Sequence, residues 1–216
     1  RADKSFRLTS MEINRRVGGR LLEAYPRLKV HLDAPKLTVG VDLRTDAAYV
    51  YADRIAGPGG LPVGCQGSVV SLISGGIDSP VASWMAMRRG ARVHFLTFHS
   101  APFLGEASRD KVVDLVRLLS RFQPETRLWV CPFGEIQTLI RDHCPPSWRT
   151  VLYRRLMQRV AHRLCESEGS LAIVTGESVG QVASQTLENM ATIEAAAPTM
   201  TLRPLVGMDK SEVIER

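Results

Sequence analysis

Apolar positions change their period along the chain, and the change falls near residue 60. Ahead of it, Ile13, Val17, Leu21 and Leu22 share one face of a helix predicted over residues 9–24. Thr9 or Ser10 caps that helix, Glu12 follows Thr9 by three residues, and Pro26 ends it. Val30 and Leu32 alternate as a short strand. Leu37, Val39, Val41 and Leu43 alternate with Thr38, Gly40, Asp42 and Arg44, which predicts a half-buried strand. A turn at Asp46 and Ala47 leads into a partner strand over 48–55. Together these make a small α+β unit with one exposed face.

Gly57, Pro58, Gly59, Gly60, Leu61, Pro62, Val63 and Gly64 then rule out a long regular element and predict a linker over 57–67. Beyond it the alternation disappears. Val69, Val70, Ser71, Leu72 and Ile73 form a short apolar run, as in a strand covered on both faces. Helices are predicted over 80–89, 109–122, 150–168 and 184–194, with strands over 92–98, 128–131 and 171–174 between them. Strands alternating with helices predict an α/β fold, a doubly wound parallel sheet that includes these four strands. The expected organisation is a first module at 1–56, the linker, and a larger domain at 68–216. The chain starts at Arg1 and stops inside an apparent helix at 212–216, which reads as a piece of a longer protein.

Composition narrows the class. Of 216 residues, 44% are hydrophobic and 23% charged, which excludes a disordered tail. The apolar runs near Val69 and Val93 fall far short of the ~18 residues of a membrane span, and the first ten residues are charged throughout, so a cytoplasmic location with no membrane partner is expected. Cys65, Cys131, Cys144 and Cys165 are scattered without a CxxC pair, which argues against a disulfide framework or a zinc site. The net charge is +6, and residues 1–60 carry 11 basic against 7 acidic residues. A basic module beside a near-neutral domain suits a polyanionic partner such as nucleic acid.

One segment carries chemistry. Ser74, Gly75, Gly76, Ile77, Asp78 and Ser79 follow the first apolar strand and open a helix whose first turn holds Pro80. In an open α/β sheet this is where ligands bind. A helix N-terminus offers free N–H groups and partial positive charge to a phosphate, and the two glycines let backbone curl around it. Ser74 and Ser79 add hydroxyls. A carboxylate beside phosphates is repelled unless a cation bridges them, so Asp78 implies Mg²⁺. The spacing is neither that of a Walker A loop nor that of a dinucleotide fingerprint.

The loop resembles that of the pyrophosphate-loop ATPases, which split ATP into AMP and pyrophosphate and adenylate an acceptor. Residues 59–64 (GGLPVG), 72–81 (LISGGIDSPV), 175–190 (TGESVGQVASQTLENM) and 203–210 (RPLVGMDK) bring the likeness closer, to the bacterial tRNA 4-thiouridine synthetases, or tRNA sulfurtransferases, a family that also serves thiamine thiazole synthesis. Residues 1–55 resemble the C-terminal part of a THUMP RNA-binding domain. The resemblance implies ATP contacts at Leu72, Ile73, Ser74, Gly75, Gly76, Ser79, Thr97, Phe98, Arg154, Gly176 and Gln185, and catalytic roles for Asp78 and Lys210. Arg154, placed at the opening of the long helix, is expected to clamp phosphates.

The implied reaction has two steps. Uridine O4 of a tRNA attacks the α-phosphorus of ATP, and persulfide sulfur then displaces AMP to give 4-thiouridine. The implied partners are tRNA, a persulfide donor such as a cysteine desulfurase, and the sulfur-carrier protein of thiazole synthesis. The family's sulfur-relay cysteine falls beyond Arg216, so none of the four cysteines is assigned that role; Cys144 precedes Pro145 and Pro146, read as a surface connection. Two other readings use the same residues: a ligase or amidotransferase that adenylates a small metabolite, and a non-enzymatic RNA-binding module.

Overall fold

The computed structural model describes residues 6–52, 54–103 and 105–216, and the chain divides into two compact units, Arg1–Gly57 and Pro58–Arg216.

The first unit contains α1 (Ser10–Ala24), β1 (Gly40–Leu43) and β2 (Ala48–Tyr51). A capping box starts α1: the Glu12 amide donates to Thr9 Oγ1 at 3.3 Å, and the Thr9 amide to Glu12 Oε2 at 2.7 Å. The strands pair antiparallel from Gly40 opposite Tyr51 to Leu43 opposite Ala48. A Cβ on Gly40 would stand 2.4 Å from the Tyr51 ring, so the glycine is what lets that ring lie across the strand. Both strands are shorter than the alternation predicts. Val30 and Leu32 form no strand and are exposed: two alternating apolar side chains do not make a ladder without a neighbouring strand, and the described ladder runs only between β1 and β2.

The second unit is a five-stranded, all-parallel sheet in the order β5-β4-β3-β6-β7, made of β3 (Ser68–Leu72), β4 (Arg92–His99), β5 (Leu128–Pro132), β6 (Ala172–Val174) and β7 (Met200–Leu202). Between them run α2 (Asp78–Arg88), α3 (Glu106–Leu119), α4 (Gly134–His143), α5 (Pro146–Glu168), α6 (Leu187–Glu194) and, at the end, α7 (Lys210–Ile214). One face of the sheet packs Val69, Phe95 and Val174 against Ala82, Met87, Val112 and Val116 of α2 and α3. The other packs Val70, Leu96 and Ile173 against Ala161 and Cys165 of α5. Both faces are covered, as the unalternating apolar runs predict. The chain fills one side of β3 with β4 and β5, then crosses to fill the other with β6 and β7, so the strand order reverses beside β3.

Several boundaries differ from the sequence pattern. The segment read as a linker folds with the second unit from Pro58 on. The C-terminus of α2 leaves carbonyls without helical partners, and this segment supplies donors: the Leu61 amide reaches the Arg88 carbonyl, and the Gly64 amide the Gly90 carbonyl, each at 2.8 Å. Gly60, at φ +91°, passes so close that a Cβ there would stand 2.1 Å from the Arg88 oxygen. The helix α2 begins at Asp78, two residues before Pro80, and α5 begins at Pro146, four before its predicted start. The connection at 145–146 is therefore a helix start, with proline in the first turn where it is tolerated. Two elements, α4 and β7, are additional to those predicted. Among the described residues no helix is long and apolar enough to cross a membrane.

Candidate functional site

The carboxyl ends of β3, β4 and β6 open into a cavity of about 370 Å³. Its floor and one wall come from β3 and the loop after it: Leu72, Ile73, Ser74 and Gly75, continuing into Asp78 and Ser79 of α2. The end of β4 adds Thr97, Phe98 and His99. Arg154, Met157 and Gln158 come from α5, Thr175, Gly176 and Glu177 from the segment after β6, and Gln185 and Ile193 close the far side. The first turns of α3 contribute Ser108, Arg109 and Val112.

The loop is held by its own serines. Ser79 Oγ accepts the Ser74 amide at 2.9 Å and lies 3.2 Å from Ser74 Oγ. One turn on, Ser83 Oγ donates to the Ser79 carbonyl at 2.7 Å and meets Ser71 Oγ of β3 at 2.8 Å. Ser79 thus latches the loop to the strand end rather than presenting a free hydroxyl. The amides of Gly75 and Ile77 donate to no acceptor among the described residues. A turn of unpartnered amides leading into a helix N-terminus is a ready anion cradle.

Two buried oxygens on cavity-lining residues also lack partners: Asp78 Oδ1 and Gln185 Oε1. Asp78 Oδ2 has only a long 3.4 Å contact from Gln181 Nε2, which ties the 175–190 segment to the loop. Burying polar atoms without partners is costly, and Asp78 and Gln185 both line the cavity, where a ligand can supply the missing partners.

Gly176 explains how the β6 segment gets so close. A Cβ there would stand 2.7 Å from both the Asp78 carbonyl carbon and the Ser79 nitrogen. Its backbone lies directly against the start of α2. Gly176→Ala is expected to push these segments apart at a cost of about 1–3 kcal/mol, with nucleotide affinity reduced more than tenfold; thermal melting and calorimetry on the same preparation check both numbers.

Beside Gly176, Glu177 is the hub of a charge network. Its side chain is 8% exposed. Oε1 accepts from Arg154 Nη1 at 2.6 Å, and Oε2 accepts from Arg203 Nε at 2.8 Å and from Thr175 Oγ1 at 2.9 Å. Arg203 also pairs with Glu194. Burial works against the charge of Arg203, but its hydrogen bonds to Glu194 and Glu177 outweigh that and raise its pKa above the ordinary value.

Of the thirteen residues singled out from sequence, eleven line the cavity. Gly76 and Lys210 do not. Gly76 is exposed, its amide 3.4 Å from Ser74 Oγ. Lys210 is the first residue of α7, after Asp209, whose capping box with Glu212 sets the helix start. Its segment is stitched to the site's edge by Ser178 Oγ on the Met208 carbonyl at 2.9 Å and the Val179 amide on the Val206 carbonyl at 3.1 Å. Arg154 sits in the third turn of α5, not at its opening, because the helix starts at Pro146; its guanidinium is engaged by Glu177. The sequence reading passed over Glu177, Thr175, Arg109, Ser108 and Gln158. Glu177 lies inside the quoted 175–190 motif, and a carboxylate between two small polar residues after a buried strand was the available signal. The α3 residues carried none, since their approach depends on packing.

Comparison with known proteins places this geometry. The family model described as Thiamine biosynthesis protein (ThiI) matches residues 64–216, and the THUMP domain model matches residues 1–53. The chain is similar to a "Probable tRNA sulfurtransferase" of Thermoanaerobacter sp. (strain X514), 45% identical over 215 residues, covering 100% of this chain and 56% of that protein. A "Probable tRNA sulfurtransferase" of Moorella thermoacetica is 47% identical over 215 residues, covering 100% and 55%. A crystal structure of a 4-thiouridine synthetase–RNA complex with bound ATP superposes with a TM-score of 0.82 at 39% identity, over 99% of this chain and 56% of that one. The chain spans about half the length of the relatives it matches.

Proposed function

The chain belongs to the ThiI thiamine-biosynthesis family, and from that membership we propose that it forms the nucleotide-activating part of a tRNA sulfurtransferase, binding ATP in the 370 Å³ cavity and adenylating a uridine of tRNA. The observation that carries the proposal is the loop at the mouth of β3, where free amides of Gly75 and Ile77 stand beside the unpartnered Oδ1 of Asp78. Donors cradle phosphate; a lone carboxylate among them is a cation's partner. The related 4-thiouridine synthetase, described with bound ATP and RNA, supports both ligands.

In this reading adenosine lies against Leu72, Ile73, Thr97 and Phe98 at the strand ends, and the phosphates run over the loop. Uridine O4 attacks the α-phosphorus, a P–O bond forms, and the bond to pyrophosphate breaks. Persulfide sulfur then adds at C4 and AMP leaves with the former O4; a second thiol attacks the inner sulfur and breaks the S–S bond, so that a disulfide forms and one sulfur stays on C4. The loop amides and the start of α2 take up the charge of the departing pyrophosphate, the main electrostatic task. Arg154, held by Glu177, faces the phosphates from α5. Asp78 would hold Mg²⁺ by one oxygen. Among the described residues no group of three or more His, Cys, Asp or Glu is placed to cage a metal, which suits a cation that arrives on the phosphates. Bound there, magnesium neutralises charge on the leaving group. Lys210, outside the cavity lining, acts in this scheme only by approach from α7.

The first unit brings the RNA. Arg15, Arg16 and Arg20 of α1 are exposed, and backbone contacts of this kind give affinity without base readout. O4 lies on the base edge, so the uridine leaves its stack to be reached. The sulfur donor is a persulfide enzyme such as a cysteine desulfurase, and in thiazole synthesis the acceptor is a sulfur-carrier protein.

The cysteines do not serve the first step. Burial raises the Cys131 thiol, and pushes Cys165 up to about 11 against a weaker opposing hydrogen bond from Val70. Neither is a thiolate at neutral pH. Serine at each of Cys65, Cys131 and Cys144, and alanine at Cys165, are expected to leave ATP affinity within twofold by calorimetry.

The test of the proposal is release of pyrophosphate from ATP with and without unmodified tRNA. Release that depends on tRNA is the expected result. Release with no RNA present points to a ligase for a small metabolite, and no release in either case points to an RNA-binding module.

A further inference from the structure

The cavity's own charges nearly cancel. Asp78 and Glu177 oppose Arg109 and Arg154, and each arginine is already engaged, Arg154 by Glu177 and Arg109 by Glu106 at 2.5 Å and Asp110 at 3.6 Å. A triphosphate brings several negative charges, so a cation free to meet it should stand at the loop. Lys111 is exposed beside the loop, just outside the cavity lining. It lies on α3 one turn after Ser108, which lines the cavity. Its aliphatic stem crosses the backbone of Gly75: a Cβ at Gly75 would meet Lys111 Cδ at 3.4 Å and Cγ and Cε at 4.0 Å. The ammonium is one bond beyond Cε. Among the described residues Lys111 makes no hydrogen bond or ion pair. A lysine stem laid beside a residue without a side chain, with a free head, is an extended charge able to meet an anion at the loop. It is also one of two lysines after residue 60, the other being Lys210.

We infer that Lys111 of α3 is the pyrophosphate-facing cation of the site, reaching over Gly75 to the β- and γ-phosphates of ATP and then to the departing pyrophosphate. The inference rests on the nucleotide reading above and adds a residue to it. Because the contact is to the terminal phosphates, the residue discriminates ATP from AMP and leaves the adenosine end untouched.

The test is calorimetry of the chain with magnesium and, in turn, ATP, inorganic pyrophosphate and AMP, for the parent and for Lys111→Met and Lys111→Arg. Methionine keeps the stem on Gly75 and removes the charge. Lys111→Met is expected to weaken ATP and pyrophosphate about 10- to 100-fold, the range of a hydrogen bond to a charged group, with AMP unchanged and Lys111→Arg close to the parent. Unchanged ATP affinity in Lys111→Met, or equal loss of ATP and AMP, overturns the assignment while the nucleotide site stands. A parent chain that binds neither ATP nor pyrophosphate overturns the site itself and this inference with it.

Discussion

Asp78→Ala is expected to lower tRNA-dependent pyrophosphate release by about a thousandfold, the scale of losing a principal charge-stabilising group, while the protein stays folded. The side chain contributes little to the fold. Its Oδ1 has no partner, its Oδ2 only a 3.4 Å contact from Gln181, and it lies at the start of α2 rather than in either core cluster. What the fold loses is a favourable charge at a helix N-terminus, about 0.3–1 kcal/mol. A melting temperature within a few degrees of the parent and near-zero turnover is therefore the expected pair of readings. Turnover near the parent's would remove Asp78 from the reaction.

Glu177→Ala should instead be costly to the fold. It leaves Arg154 and Arg203, 28% and 16% exposed, without their shared carboxylate. Removing one member of a buried charge network costs about 3–5 kcal/mol, so the second unit should melt about 10 °C lower, given roughly 2–4 °C per kcal/mol at this size. Nucleotide affinity should fall as well, because Arg154 loses the group that orients it. Glu177→Gln separates the two effects: the amide keeps an acceptor and the volume, so the melting loss should shrink while the charge balance around Arg154 changes. Thermal unfolding and calorimetry measure both. A Glu177→Ala protein as stable as its parent would mean the network adds nothing net.

These residues also show what was readable in the chain. The loop was legible because its chemistry is local: two glycines, two serines and a carboxylate between a buried strand and a helix admit few uses. The sheet was legible because both its faces are covered and its strands therefore read as unbroken apolar runs. Short elements were not. β7 is three residues long and leaves no periodic trace; α4 buries only Gly134, and its trace is three residues, Ile136, Leu139 and Ile140, at helical spacing. Long-range convergence was hidden for a different reason. The resemblance alone singled out Arg154, and only folding brings it to Glu177, 23 residues on, with Arg203 behind. The segment at 58–67 has a composition that predicts flexibility, yet its amides have a fixed task at the end of α2.

In the proposed reaction the tRNA base itself attacks the α-phosphorus of ATP over the loop at 74–79. Transfer of an oxygen label tests it most directly. With tRNA carrying ¹⁸O at uridine O4, supplied with ATP and magnesium, the protein is predicted to release pyrophosphate and form an adenylated tRNA, from which attack of hydroxylamine at C4 releases AMP that carries the ¹⁸O. Unlabelled AMP, or label appearing in inorganic phosphate beside ADP, would contradict it.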